Sequence, residues 1–197
     1  MKKLALLLTI TLLVAAACRR AEQPVAGSGA NRGSAPETAG TAGTATPAAT
    51  STAPVGIEVG STMPEYSAMW LDGSKFELAG RRDKVVLLNI WATWCGPCRY
   101  EIPELQKMHD QYASKGFEVI GVSVDESGVE AVRQFVDEQK MTYPIALDPE
   151  GRIASLMQTS VLPTTVLVDR SGRIVWKKYG LISENDPELK KAIEGAV

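Results

Sequence analysis

Apolar and polar positions divide residues 57–197 into a regular series of elements. The run Val85-Val86-Leu87-Leu88-Asn89-Ile90 is apolar on both faces, as central parallel strands are, and predicts a buried strand over 85–91. Upstream, 66–71 and 75–78 flank Asp72-Gly73, a turn signal, and predict a hairpin. A helix follows over 97–114; Pro103 inside it should kink it, and Lys115-Gly116 ends it. Residues 117–124 predict the next strand. Over 128–140, Val129, Val132, Phe135 and Val136 share one helical face. Residues 143–147 read as a short strand and 152–157 as a short helix. Residues 164–168 and 173–179 form a strand pair around Asp169-Arg170-Ser171-Gly172, and 187–196 form a last helix. Alternating β and α elements that finish in an antiparallel pair predict an α/β sandwich.

The amino-terminal third follows a different pattern. Met1-Lys2-Lys3 precedes an uncharged apolar stretch, Leu4 to Ala17, which is shorter than the ~20 residues of a transmembrane helix and reads as a secretory signal. It ends Val14-Ala15-Ala16-Ala17-Cys18. This resembles a bacterial lipoprotein signal, with Ala15 where Leu is usual. Residues 1–18 are therefore expected to be the signal, and Cys18 the lipidated residue that anchors the chain to a membrane. In residues 19–56, 29 of 38 are Ala, Gly, Ser, Thr or Pro, without apolar periodicity. Such a stretch buries too little surface to offset its ordering entropy and predicts a disordered tether. Residues 57–197 remain as one domain. The net charge of −2 and pI near 5.6, without a basic stripe or Gly-rich phosphate loop, give no reason to expect nucleic acid.

The chemistry lies directly after the first buried strand, in Trp91-Ala92-Thr93-Trp94-Cys95-Gly96-Pro97-Cys98. A Cys-x-x-Cys pair makes a reversible dithiol/disulfide. The strand delivers Cys95 to the sheet's edge, and the following helix aims its N-terminal N–H groups and positive dipole end at the sulfur, which favours the reactive thiolate. Pro97 belongs in the first helical turn, where its missing N–H costs nothing, and its rigidity helps set the reduction potential. A structural zinc site needs further ligands, and beyond the pair only Cys18 and His109 are on offer. His109 lies roughly 16 Å along the helix from Cys98, which also removes it as the partner of a nucleophilic Cys. A structural disulfide closing so short a loop stabilises little by chain entropy. A copper-delivery protein would want a wider Cys spacing and a downstream His. A peroxidase would want Pro and Thr upstream, where this chain has Leu88 and Ala92. Redox exchange is the remaining reading, and no metal is expected.

The stretch Leu88 to Arg99, with Glu101-Ile102-Pro103, the extra βα unit at 117–140 and Val161-Leu162-Pro163-Thr164-Thr165, resembles the thioredoxin superfamily. Within it the chain is similar to the membrane-attached, extracytoplasmic TlpA/ResA-like thiol-disulfide oxidoreductases over about 60–190. The resemblance implies a thioredoxin-like three-layer α/β/α sandwich with a central mixed sheet and an N-terminal β-hairpin. It implies that Cys95 attacks a substrate disulfide and that Cys98 resolves the mixed disulfide. It implies a cis Pro163, with Leu162 pairing to an extended substrate segment beside Cys95. Trp94, Gly96, Pro97, Leu162 and Pro163 are the expected substrate contacts, and Trp91 is expected in the core. Thioredoxins often carry a buried Asp where this chain has Asn89, which cannot take a proton. Glu101, one turn beyond Cys98, is the expected acid/base; a solvated carboxylate answering the helix dipole is the alternative. Arg99 is expected to be an exposed helix charge, and His109 to line a surface or groove without a redox task.

The function expected is an extracytoplasmic, monomeric enzyme that reduces protein disulfides without a bound cofactor. Its substrate in this family is often the haem-binding Cys pair of apocytochrome c, with copper-site cysteines of oxidases and general protein repair as alternatives that the sequence does not separate, and a membrane electron donor of the thiol-disulfide transfer type is expected to recharge it. A disulfide-forming oxidant and a non-catalytic binding lipoprotein are the alternatives.

Overall fold

A computed structural model describes residues 53–183 and 185–197; the signal, Cys18 and all but the last residues of the tether lie outside them. Seven strands form one mixed sheet: β1 (Ser67–Trp70), β2 (Lys75–Glu77), β3 (Val85–Trp91), β4 (Phe117–Ser123), β5 (Ile145–Leu147), β6 (Thr164–Val168) and β7 (Ile174–Tyr179). Their order is β2-β1-β5-β4-β3-β6-β7. β4 runs parallel to β3 and to β5, whereas β6 is antiparallel to β3 and to β7, and the hairpin β1–β2 joins antiparallel to β5. The helices are α1 (Gly96–Tyr112), α2 (Val129–Glu138), α3 (Arg152–Leu156) and α4 (Pro187–Ala196). Short 3₁₀ turns occupy Leu78–Arg81 and Ala113–Lys115.

Alternation along the strands sorts the core onto two faces. Val85, Leu87 and Trp91 pack under α1, α2 and α4 with Leu105, Phe135 and Leu189. Val86, Leu88 and Ile90 face the other way, onto Ile153 of α3 and onto Tyr66, Phe76 and Leu78 around the hairpin. This is the three-layer sandwich with a mixed sheet and an N-terminal hairpin. Every residue of β3 and β4 is buried, because both strands are covered on both faces.

Several expectations change in detail. α1 runs unbroken through Pro103 and gives way to the 3₁₀ turn before Gly116, whose φ of 78° takes the chain out of the helix. Val129 was expected on the buried face of α2. It is the first residue of that helix and stays 47% exposed, while Val132, Phe135 and Val136 are buried. β3 is an inner strand, so Cys95 stands beyond its carboxyl end and not at a lateral edge of the sheet. Ordered contacts begin ahead of residue 57: Thr62 N–H donates to Pro54 O and Gly56 N–H to Thr62 O. This segment also covers β7, with Gly60 N–H donating to Ile174 O and Ile174 N–H to Ser61 O. An edge strand is thereby shielded from foreign pairing.

His109, on α1, accepts a hydrogen bond at Nδ1 from Val119 N–H at 3.3 Å. β5 begins to pair with β4 only at Gly121, so the imidazole serves part of the strand that β5 leaves open. Gly121 lies opposite Asn89 and Ile145. A Cβ there would come within 2.8 Å of both Trp91 Nε1 and Ile145 Cδ1. Ile145 can turn its terminal methyl aside, but the indole, tilted against Phe135 at 5.2 Å, has less freedom. Gly121→Ala is therefore expected to lower stability by about 1–3 kcal/mol. Urea unfolding should show a lower midpoint with an unchanged slope.

Candidate active site

Cys95 is the N-cap of α1, in extended backbone between the turn 92–94 and the first helical residue, Gly96. Pro97 lies in the first turn, as its fixed φ favours. Cys95 and Cys98 are joined in a disulfide. Cys98 N–H donates to Cys95 Sγ at 3.2 Å, so the helix end supplies a donor to the sulfur that must carry charge on reduction. Cys95 is 5% exposed and Cys98 1%. The first sulfur is thus the one an incoming group can reach, and the second is held behind it.

The turn leading to Cys95 is braced from the end of β4. Asp125, buried, accepts Thr93 N–H at 2.9 Å, Thr93 Oγ1–H at 2.5 Å and Ser123 Oγ–H at 2.7 Å. Sequence reading passed over Asp125, because an acid in Val124-Asp125-Glu126-Ser127 looks like any loop acid. Its contact with Thr93 spans 32 positions, which no local pattern reports.

Glu101 lies one turn beyond Cys98 and is 1% exposed, so the solvated alternative does not hold. Asn89 Nδ2 donates to Glu101 Oε1 at 2.7 Å and also to Thr165 Oγ1 at 2.9 Å. Ile182 N–H donates to Glu101 Oε2 at 2.9 Å. Burial drives the Glu101 carboxyl up from its ordinary 4.5 to about 7; the bonds from Ile182 and Asn89 and the charge of Lys178 act the other way. The group therefore stands near the midpoint of its titration at neutral pH, where it can both take and give a proton.

The Leu162–Pro163 peptide bond is cis. Thr164, the next residue, pairs with Ile90 near the end of β3, which brings this loop to the same end of the sheet as Cys95. Gly180 N–H donates to Pro163 O at 2.7 Å. Pro163 is buried, Leu162 half-buried, and Gly96 and Pro97 exposed. Trp94 is 71% exposed and, with Leu162, Val124, Glu126 and Thr159, lines an open groove of about 250 Å³. Trp91 is in the core, as expected. Arg99 is exposed, its guanidinium 4.9 Å from the centre of the Phe135 ring. His109, on α1 and bonded to Val119 of β4, has no place in the site.

The raised Glu101 gives stability a pH dependence. An acid whose pKa is higher folded than unfolded binds its proton more tightly in the folded state. Its stabilisation is complete below pH 4.5 and is lost as pH rises through about 7. At ~1.4 kcal/mol per pH unit the loss across that window is about 3 kcal/mol. Urea unfolding of the oxidised protein at pH 4.5 and 7.5 should show this fall, and Glu101→Gln should remove that part of it. An identical pH dependence in both proteins would contradict the assignment.

The Redoxin family model matches residues 58–193. A thiol-disulfide oxidoreductase ResA from Bacillus cereus is 33% identical over 139 residues, covering 71% of this chain and 76% of the relative. The thioredoxin-like protein YneN of Bacillus subtilis is 38% identical over 138 residues, covering 69% of this chain and 80% of its own length. Among solved structures, one described as a thiol:disulfide interchange protein DsbE from Chlorobium tepidum superposes with a TM-score of 0.66 at 28% identity, over 71% of this chain and 98% of that one. A secreted thiol-disulfide isomerase from Corynebacterium glutamicum gives 0.62 at 28% identity, over 67% and 83%. A reachable Cys95, a sheltered Cys98 and a cis-proline loop at the same end of a thioredoxin-like sheet agree with these likenesses: the chain belongs to the Redoxin family and is a thiol-disulfide oxidoreductase of the ResA/DsbE type.

Proposed function

We propose that the protein acts outside the cytoplasm, held to a membrane through a lipidated Cys18, and reduces disulfides in other proteins. The observation that carries the reductive reading is the Cys95–Cys98 pair itself. Gly96-Pro97 between the cysteines resembles reducing thioredoxins, and a helix N-terminus backs the attacking sulfur. The charged start, the apolar stretch and the small residues before Cys18 support export and lipidation. The secreted relative from Corynebacterium glutamicum is consistent with that location.

The exchange proceeds in two displacements. Cys95 thiolate attacks one sulfur of the substrate disulfide; a Cys95–substrate bond forms, and the other substrate sulfur leaves as a thiolate. Cys98 then gives its proton to the Glu101 carboxylate and attacks Cys95 Sγ. The Cys95–Cys98 bond forms, the remaining substrate sulfur leaves, and two electrons have passed to the substrate. Glu101 returns its proton when the pair is reduced again. Recharging falls to a membrane donor of the thiol-disulfide transfer type. The haem-binding Cys pair of apocytochrome c is the substrate this reading favours. The groove beside Trp94 and Leu162 is suited to an extended segment around the target disulfide.

Geometry supports the tethered arrangement. Thr62 Oγ1–H donates to Ala53 O at 3.2 Å, and Thr62 bridges to Arg173 just before β7. Ile174 and Val86 both pair with Val168, at the end of the sheet remote from Cys95. Ala53, the first described residue, is thus held at that remote end.

The reduction potential of the pair decides the direction of exchange. A value near about −270 mV or lower is expected, whereas one near about −120 mV would make the protein an oxidant. In cells, Cys98→Ser should trap mixed disulfides through Cys95, with apocytochrome c among them, and Cys95→Ser should trap none. Labelling with a radioactive fatty acid should mark the wild-type chain and leave Cys18→Ser unlabelled and released from membranes; equal labelling would sink the anchor.

A further inference from the structure

A polar row crosses the sheet beneath Glu101. Asn89 on β3 lies opposite Thr165 on β6, and Thr165 lies opposite Lys178 on β7. Directly paired residues share a face. Leu87, Leu167 and Trp176, each two positions along the same strands, belong to the core under α1 and α4, so the row faces those helices. Glu101 comes down onto it from α1 and takes the Asn89 amide. Asp186 comes down onto its far end from α4. Lys178 Nζ donates to Asp186 Oδ2 at 2.7 Å, and Asp186 Oδ1 accepts Glu188 N–H and Leu189 N–H at 3.1 Å as the helix cap. The side chains of Lys178 and Asp186 are 34% and 9% exposed, so water screens the pair only in part.

The groups facing Glu101 are few. One turn back on its own helix is Cys98, uncharged in its disulfide with Cys95. From β3 comes the neutral Asn89 amide, and from the segment before α4 the Ile182 N–H. Tyr143, ahead of β5, is a buried phenol whose ionisation both burial and the Glu101 charge oppose, so it stays neutral. Among the described residues, Lys178 is the cation that acts on Glu101. Its ammonium is drawn to the carboxylate of Asp186, and the two charges offset each other in part at Glu101.

We propose that Lys178 is a positioning residue of the exchange site, and that its ion pair with Asp186 meters how strongly it holds Glu101 in the charged form. The inference rests on the reading of Glu101 as the acceptor of the Cys98 proton. An unopposed ammonium would keep Glu101 ionised, ready to accept a proton and slow to return it. With no ammonium the carboxyl would be protonated over more of the pH range and would accept a proton less readily. Lys178 and Asp186 together leave it able to do both, and neither touches the sulfurs.

The test is a pair of charge variants in the full-length chain, followed by two measurements. Lys178→Met keeps the aliphatic stem and removes the cation. Asp186→Asn keeps a good helix cap and removes the anion. The first measurement is the carboxyl ¹³C titration of Glu101 in the oxidised protein, its signal identified by its loss in Glu101→Gln. Lys178→Met should move the midpoint up by roughly half a pH unit or more, and Asp186→Asn should move it down. Lys178→Arg should restore the wild-type midpoint. A structural disturbance would not shift the two variants in opposite directions. Midpoints that stay put, or shift the same way, overturn the proposal. The second measurement is the pH profile of the resolving step in single-turnover reduction of insulin. It should move with the carboxyl midpoint and lose both shifts on a Glu101→Gln background. If the carboxyl midpoints move in opposite directions while the rate profile does not, Lys178 and Asp186 act on Glu101 as proposed, and it is the proton-accepting role of Glu101 that fails.

Discussion

Asn89 is a carboxamide in the middle of a strand sealed from water on both faces, flanked by Leu88 and Ile90. Each of its N–H bonds must find an acceptor inside the protein, since an unsatisfied buried donor costs roughly 1–3 kcal/mol. One goes to Glu101 on α1 and the other to Thr165 on β6. That demand ties the active-site helix to two strands at fixed register. It also puts a carboxyl within one helical turn of the resolving sulfur. The same strand ends at Trp91, four residues before the attacking one. Depth in the core and position of the sulfurs are therefore set by one element.

Two acids are buried near the disulfide, and their surroundings give them different work. Asp125 is met by three donors from Thr93 and Ser123 and acts as a brace for the turn that carries Trp94 and Cys95. Glu101 receives two donors, but burial outweighs them and holds its pKa near 7. Donors around a carboxyl favour its charged form and burial favours the protonated one, and that balance sets Glu101. The division of labour between the cysteines follows the same logic of access. Cys95 at the helix cap is the less buried and is supplied with a donor, whereas Cys98 and Glu101 are buried more deeply.

The outer parts of the fold cover the margins of the sheet away from this centre. The segment 53–63 covers the edge strand β7, and the hairpin β1–β2 extends the sheet past β5. Asp148, fully buried, accepts Tyr66 O–H at 3.1 Å and Ile153 N–H at 2.7 Å, fastening the start of the domain to α3. The groove by Trp94 opens between this side and the cis-proline loop, so apolar surface meets solvent where a partner's disulfide has to approach.

Element boundaries were legible along the chain. The spans 85–91, 164–168 and 187–196 match β3, β6 and α4 residue for residue, because uninterrupted apolar runs and a Pro-led amphipathic helix are local patterns. The Cys-x-x-Cys pair, the candidate Pro163 and the candidate Glu101 were legible as well, from spacing and from resemblance. Nothing local could say that β5 sits between β1 and β4, that Asp125 grips Thr93, or that His109 bonds Val119. The state of Glu101 lay in the same category: one turn of helix places it near Cys98, but its charge depends on Ile182, Lys178 and the removal of water. Periodicity along a chain records which side chains avoid solvent. Pairing between distant strands and the dielectric around a buried group arise only when segments far apart in sequence close on one another, and those contacts decide the surroundings in which the cysteine pair sits.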